Sequence, residues 1–320
     1  MLRAVGTLAL LTSAMACGAA EPLHVVAISF NTGTADISGT LDPADNGGWG
    51  SALARTSGMY YGHGLAFPPM IEQVHGFLLA QSPDIIGFQE LFYSGDCPQV
   101  PPEGQRGFVC ETWKMGDPTV VELLLGAGYQ IACHPGRSDN CIGVKKSFGA
   151  IRDCGGDFCL EGLRGAAIDG CGRGARTGRA IIDLAQGGSL TAVNIHCTAG
   201  FKSEDSDCRT KQYAQAFADL QRRALIFGDM NTDPIRLHDG DPSAAALLAH
   251  TGNGTAYHFV SDLGPDAIPT YGGLFNIDHL ISDVGQGSCW SAGASPEHPP
   301  VTPFVMFDHK PLVCALEVPN

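Results

Sequence analysis

Leu225-Ile226-Phe227-Gly228-Asp229-Met230-Asn231 carries an apolar run into an acid and an amide, and Asp233-Pro234 then breaks the chain. A short apolar run bounded by turn formers reads as a buried strand, here Leu225 to Gly228, with Asp229 and Asn231 at its end. The same punctuation recurs. Asn31 ends a strand over His24 to Phe30, Glu90 follows one over Asp84 to Phe88, and Asn194-Ile195-His196 ends one over Leu190 to His196. Asp278-His279 interrupts an apolar run from Phe275 to Ile281, and Asp308-His309 stands before a last strand over Pro311 to Leu316. One such residue is ordinarily a turn former, and a lone histidine ordinarily packs or is solvated. A succession of them at strand ends points to polar side chains gathered along one edge.

Between these strands the apolar period changes to that of helices. Ile71, Val74 and Leu78 share a face over Phe67 to Gln81, and Tyr213, Ala216, Phe217 and Leu220 share one over Glu204 to Arg223. A short helix is expected over Pro118 to Leu125, strands near Tyr129, near Ile142 and over Arg179 to Leu184, and a Gly/Pro-rich loop from Ser94 to Gly107. Asp153 to Gly178 has no period and reads as a surface loop pinned by cysteines. No linker divides the chain. An α/β (α+β) architecture follows, two sheets packed face to face with helices outside.

Composition narrows what this frame can do. The chain has 320 residues with 19 Lys and Arg against 33 Asp and Glu, a formal charge of −14. That balance speaks against a domain held to nucleic acid by bulk positive charge. The content of 44% apolar residues speaks against disorder, while 42 Gly and 20 Pro imply many turns. Arg3 followed by the apolar run Ala4 to Ala16 reads as a secretory signal over residues 1–20, leaving one domain over 21–320. Cleavage is expected before Glu21, or before Cys17 with Cys17 lipidated, and the protein is expected to be secreted or periplasmic, acting as a monomer without an obligate protein partner. The 12 cysteines lack zinc-ribbon spacing and read as disulfides of an oxidising compartment. Without Cys17 their number is odd. Short loops favour pairing Cys97 with Cys110, Cys133 with Cys141, Cys197 with Cys208 and Cys289 with Cys314, which puts the free thiol among Cys154, Cys159 and Cys171. Asn253-Gly254-Thr255 matches a glycosylation acceptor.

The ordered set Ser29-Phe30-Asn31, Gly87-Phe88-Gln89-Glu90, Asn194-Ile195-His196, Gly228-Asp229-Met230-Asn231, Ile277-Asp278-His279 and Phe307-Asp308-His309-Lys310-Pro311-Leu312 resembles the endonuclease/exonuclease/phosphatase superfamily, the deoxyribonuclease I-like fold. The resemblance runs from His24 to about Val318, interrupted by a Cys/Gly-rich insert at about 153–178. It implies a four-layer α/β sandwich that cleaves phosphate esters with Mg²⁺, or with Mn²⁺ or Ca²⁺. By position, Glu90, Asn31 and Asp308 would be metal ligands, which suits a cation that takes hard oxygen donors. His196, Asp229, Asp278 and His309 would be catalytic, with Asp278 fixing the tautomer of His309, and Asn231 and Asn194 would orient phosphate or water. Arg164, Arg176 and Arg179 are all candidates for a phosphate-contacting arginine. A histidine at 196 is expected of deoxyribonuclease I-like and sphingomyelinase-like members.

The substrate stays open at this level. From Lys145 to Arg179 the local charge is +3, so this stretch either lines the site and receives a phosphodiester backbone or is a solvated loop. A nuclease is the first expectation, with nucleic acid as a transient substrate. A lipid phosphodiesterase acting on a headgroup would need exposed apolar side chains, for which Met59-Tyr60-Tyr61, Leu65 and Phe67 are candidates. A phosphomonoesterase and a non-catalytic binding module are the remaining alternatives.

Overall fold

The computed structural model describes residues 21–35, 42–220, 222–252 and 254–319; the signal segment, Cys17 and Asn253 lie outside them. Its strands are β1 (Leu23–Asn31), β2 (Ile85–Gln89), β3 (Tyr129–His134), β4 (Arg137–Lys145), β5 (Gly149–Ile151), β6 (Phe158–Cys159), β7 (Thr177–Leu184), β8 (Ser189–His196), β9 (Ala224–Asp229), β10 (His258–Phe259), β11 (Asp278–Ser282), β12 (Gln286–Ser291) and β13 (Leu312–Val318). The helices are α1 (Ser51–Tyr60), α2 (Pro68–Gln81), α3 (Pro102–Gln105), α4 (Val120–Leu125), α5 (Ser203–Phe217) and α6 (Pro242–Thr251). One mixed sheet runs β12-β13-β1-β2-β4-β3-β6 and the other β10-β11-β9-β8-β7-β5.

Alternation along the strands makes the layers. In β1, Val25 and Ala27 face the second sheet and pack in one cluster with Ala192, Leu225, Phe227 and Leu280, while Ile28 and Phe30 face α1 and α2. A third cluster joins Val193, Ile195 and Ile226 to Tyr213 and Phe217 of α5. Helices, sheet, sheet and helices follow in that order, as expected. Among the described residues no helix is long and apolar enough to cross a membrane.

Register then brings the strand ends together. β1 runs parallel to β2 with Asn31 beside Gln89, β8 runs parallel to β9 with His196 beside Asp229, and β11 pairs antiparallel to β9 with Asp278 beside Asp229. The residues that looked like separate turn formers therefore sit along one rim.

Three expectations are corrected. Helix α5 stops at Phe217 and not at Arg223, because the Ala218 carbonyl accepts from Arg179 Nη2 (2.6 Å) and Asp219 takes a left-handed φ of 50°. The insert is partly structured: β6 pairs with β3, Arg164 and Arg179 form a bridge, and Leu163, Cys171 and Ala175 are buried. Cys97–Cys110, Cys133–Cys141 and Cys289–Cys314 pair as expected, but Cys208 bonds Cys171, Cys154 bonds Cys159, and the free thiol is buried Cys197. Cys197 sits past the end of β8 with its amide donating to the Asp229 carbonyl (2.9 Å), so the strand, not sequence distance, keeps it from Cys208.

A thiol reagent applied without reductant should leave the native mature protein unmodified and label Cys197 once it is unfolded. Peptide mapping should recover Cys171 joined to Cys208, and a Cys197–Cys208 peptide would contradict this arrangement.

Candidate active site

Glu90 follows β2 at a left-handed φ of 55°, an uncommon state for a residue with a β-carbon, and it lies among the strand ends. Gly33 lies on the turn after β1. A methyl group there would stand 2.7 Å from Glu90 Oε2, 2.9 Å from Asp308 Oδ1 and 3.2 Å from Asn31 Oδ1, so three oxygen donors converge on one small space. Asp308 Oδ1 is buried with no hydrogen-bond partner among the described residues. Burial, and next the charge of Asp308, push the Glu90 carboxyl up. Two close carboxylates, one with an orphaned oxygen, and an amide oxygen fit a hard divalent cation such as Mg²⁺, Mn²⁺ or Ca²⁺.

Beside them, Asp229, Asp278 and His309 each offer one ligand-type atom, all within 4.8 Å of one another. His309 Nδ1 lies 2.8 Å from Asp278 Oδ2, so the proton shared there fixes the ring and leaves Nε2 facing Asn31 Nδ2 (3.3 Å) and Asp229 Oδ2 (3.7 Å). Burial opposes charge on this imidazole, but Asp278, Asp229 and Asp308 overcome it and raise it to about 10. Burial raises Asp229 to about 7 against the pull of His309. Asn231, at a left-handed φ of 51°, donates to Asp229 from its backbone amide (2.7 Å) and from Nδ2 (2.9 Å). Asn31 Nδ2 adds a third contact at 3.1 Å.

The arginines divide. Arg164 bonds Asp153, and with Arg179 it lines a separate cavity of about 450 Å³ against α5. Arg176 alone of the three candidates reaches the catalytic groups: its carbonyl accepts from the His196 amide (2.8 Å), and its guanidinium is close enough to Glu90 and Arg137 to feel their charges. Its Nε is buried without a partner among the described residues. Burial, then the neighbouring Arg137, hold its pKa below the usual value. Sequence reasoning missed Arg137, which the tight turn between β3 and β4 carries inward. Arg137 Nη2 lies 3.1 Å from His196 Nδ1, and its Nε lies 3.1 Å from Asp139 without hydrogen-bond alignment. Burial and then these two guanidiniums keep His196 neutral. Since Nδ1 accepts from Arg137, the hydrogen sits on Nε2, 3.3 Å from Glu90 Oε1.

Asn194 is not in the cleft. Its carboxamide is fully buried, accepting from Gln89 Nε2 and donating to the Phe88 carbonyl (2.7 Å), the Cys141 carbonyl (3.0 Å) and Asn140. It ties the sheets together and has no bond left for phosphate. Of the residues considered for membrane contact, Tyr61, Leu65 and Phe67 are core. The basic stretch is likewise not one surface, since Lys146 pairs with Asp157, Arg152 with Asp183 and Arg164 with Asp153. Tyr271 was also missed; its ring lies 4.8 Å from that of His309, and its only sequence signal is the Gly272-Gly273 turn behind it.

No protein-family model and no curated protein sequence matches the chain. Solved structures do. An endonuclease/exonuclease/phosphatase from Beutenbergia cavernae superposes with a TM-score of 0.55 at 12% identity, over 93% of this chain and 72% of that one. The human Nocturnin catalytic domain with bound sulfate gives 0.54 at 12% identity, over 93% and 96%. A family protein from Bacteroides thetaiotaomicron gives 0.51 at 14% identity, over 93% and 96%. This chain has the endonuclease/exonuclease/phosphatase fold. Within that fold the rim described above is the edge where both sheets end.

A buried clamp supports the rim. Arg209 donates to Ser243 Oγ (2.7 Å) and to the Thr198 and Gly200 carbonyls (2.9 and 2.8 Å), and pairs with Asp241 at 3.0 Å. Asp241 also accepts from Thr232 Oγ1 (2.6 Å), joining the loop after His196 to the loop after Asp229. Burial works against the Asp241 charge, but these hydrogen bonds and Arg209 bring its pKa down to about 2. A depressed carboxylate stabilises the fold above its unfolded pKa, so this contribution is expected to disappear as pH falls from about 4 toward 2. Urea titrations of Asp241→Asn at pH 7 should show a loss of about 3 kcal/mol, because Arg209 is left buried without its counter-charge. The deficit should shrink in acid.

Proposed function

We propose that the protein is an exported, divalent-metal-dependent phosphodiesterase, and that it acts as a nuclease. The observation that carries the reading is the meeting, at one rim, of the Asn31–Glu90–Asp308 oxygen cluster, the Asp278–His309 pair and Arg176, whose Nε is buried without a partner among the described residues and whose charge lies close to that of Glu90. Each is what attack on a phosphodiester needs: charge neutralisation, a held proton and an anion donor. Five disulfides among the described residues support export, together with the signal-like segment 1–20.

A cation held by Glu90, Asn31 and Asp308 would supply Lewis-acid polarisation of the phosphoryl group. The chain's own groups do the rest. Arg176, with Arg137 beside it, binds non-bridging oxygens of the phosphate. Asp229, oriented by Asn231, accepts a proton from the attacking water as its oxygen bonds to phosphorus and the ester oxygen leaves. His309, held by Asp278, keeps its proton at Nε2 toward the phosphoryl oxygen, and His196 offers Nε2–H from the other side.

A second reading, a lipid phosphodiesterase, is favoured by Phe201 and Leu274, which are 80% and 67% exposed. Leu274 follows Tyr271, the ring against His309, in a hydrogen-bonded turn, and Phe201 lies against Phe275. A panel of plasmid DNA, RNA, sphingomyelin and a phosphomonoester separates the readings. Nicking of DNA with Mg²⁺, Mn²⁺ or Ca²⁺, abolished by EDTA, is the expected result. His309→Ala and Asp229→Asn should each lower kcat by about 10²- to 10⁴-fold in a folded protein. Release of phosphocholine from sphingomyelin beside intact DNA would replace the nuclease reading with the lipid one. Binding without hydrolysis of any ester would leave a non-catalytic module. N-terminal sequencing of the exported protein should begin at Glu21 or at a modified Cys17.

A further inference from the structure

A cleft of about 800 Å³ leads away from Glu90, larger than one phosphate group requires. Its walls come from four segments remote in sequence, residues 59–64 at the end of α1 and three others that a disulfide fastens. Cys97–Cys110 holds the loop with Asp96 and Gln99, Cys133–Cys141 closes the hairpin that carries Arg137, and Cys171–Cys208 anchors the segment that carries Arg173. The hairpin and the Arg173 segment also touch directly. A β-carbon at Gly174, whose φ is +68°, would stand 2.3 Å from the Gly136 carbonyl oxygen. The cleft is preformed.

Two half-buried aromatic rings line it. Tyr60 packs on Gly104, where a β-carbon would stand 2.6 Å from the ring. Tyr93 stacks on Phe158 with centroids 6.4 Å apart and planes inclined by 17°. Arg173 is exposed and has no ion-pair partner among the described residues, while Arg137 stands nearer the centre. Asp96 and Gln99 add hydrogen-bonding groups to the lining.

We infer that this cleft is a nucleotide subsite of the same active centre, taking the base next to the scissile phosphate against Tyr93 and Tyr60 and the following phosphate on Arg173. The inference rests on the phosphodiesterase reading and specifies its substrate class. Flat aromatic faces accept any base, and a guanidinium two segments away suits a backbone phosphate. A choline headgroup also seeks aromatic faces, but Arg173, which has no ion-pair partner among the described residues, opposes a quaternary ammonium beside the rings, Arg137 being offset by Asp139. Met59 is exposed at one side of the cleft, but Arg173, Asp96 and Gln99 interrupt the apolar lining that acyl chains would need.

The test compares hydrolysis of a single-stranded oligodeoxynucleotide with that of bis(p-nitrophenyl) phosphate, a diester with neither base nor second phosphate, by the mature protein with Mn²⁺. Tyr93→Ala should raise KM for the oligonucleotide about 10-fold with little change in kcat, so the ratio of the two kcat/KM values falls by that factor. Tyr93→Phe, which keeps the ring, should restore the ratio. Arg173→Ala should raise the same KM and reduce the slope of log KM against log salt by about 0.7 to 1. A wild type active on both esters, with the ratio unmoved by either alanine variant, would overturn the subsite alone. A wild type inert on both would overturn the phosphodiesterase reading and the subsite with it. Loss confined to sphingomyelin hydrolysis would overturn the nucleotide assignment.

Discussion

The fully buried carboxamide of Asn194 fixes how the two sheets meet. It rises from β8 in one sheet and bonds Gln89 and the Phe88 carbonyl of β2 and the Cys141 carbonyl of β4 in the other. Apolar packing between sheets is tolerant of sliding, since one aliphatic side chain serves nearly as well as another. A buried amide is not tolerant, because each unmade bond leaves a desolvated polar group. Asn194 therefore sets the offset between sheets, and with it the distance from Glu90, beyond the end of β2, to His196 and Asp229, at the ends of β8 and β9. Asn194 thus shapes the cleft without touching phosphate.

What converges at that rim is electrostatically unfavourable in isolation. Glu90, Asp229, Asp278 and Asp308 are four acids in one small volume, and the upward displacement of Glu90 and Asp229 records the cost of burying them together. Their offsets come from different directions: His309 from the last strand's approach, and Arg137 and Arg176 from the hairpin and the insert; a cation on the oxygen cluster would add to them. The overall acidity of the chain says little about its ligand, because neutralisation here is local.

Most of the fold was legible because its central strands are short, apolar and sharply ended. Less visible elements lacked that contrast. Helix α1 buries only Ala54 and Ser57, so its sequence carries almost no apolar stripe, and β12, Gln286–Ser291, is a polar edge strand with half its residues exposed. The acids, His196 and His309 were legible because each stands at or next to the end of an apolar strand: Glu90, His196 and Asp229 where one stops, Asp278, Asp308 and His309 where one starts. The arginines were not, since their reach depends on which way a strand or hairpin turns: Arg179 on β7 lines the cavity against α5, whereas Arg176, just before that strand, lies near enough to Glu90 and Arg137 to feel their charges. Arg137 is hidden in a turn whose inward direction only the Cys133–Cys141 hairpin determines.

The unpaired Cys197 carries a consequence for how the chain acquires its covalent structure. Cys208 lies 11 positions (208 − 197) from Cys197 but 37 from Cys171, its native partner. Loop-closure entropy alone favours the shorter ring by about 1 kcal/mol, so in an unfolded, oxidising chain the wrong bridge is the easier one to close. The native choice wins because β8 withdraws Cys197 into the core and α5 presents Cys208 toward the insert. Sheet assembly must therefore precede this oxidation, or a disulfide exchange must undo the shortcut, and the buried thiol serves as a record that the order was kept.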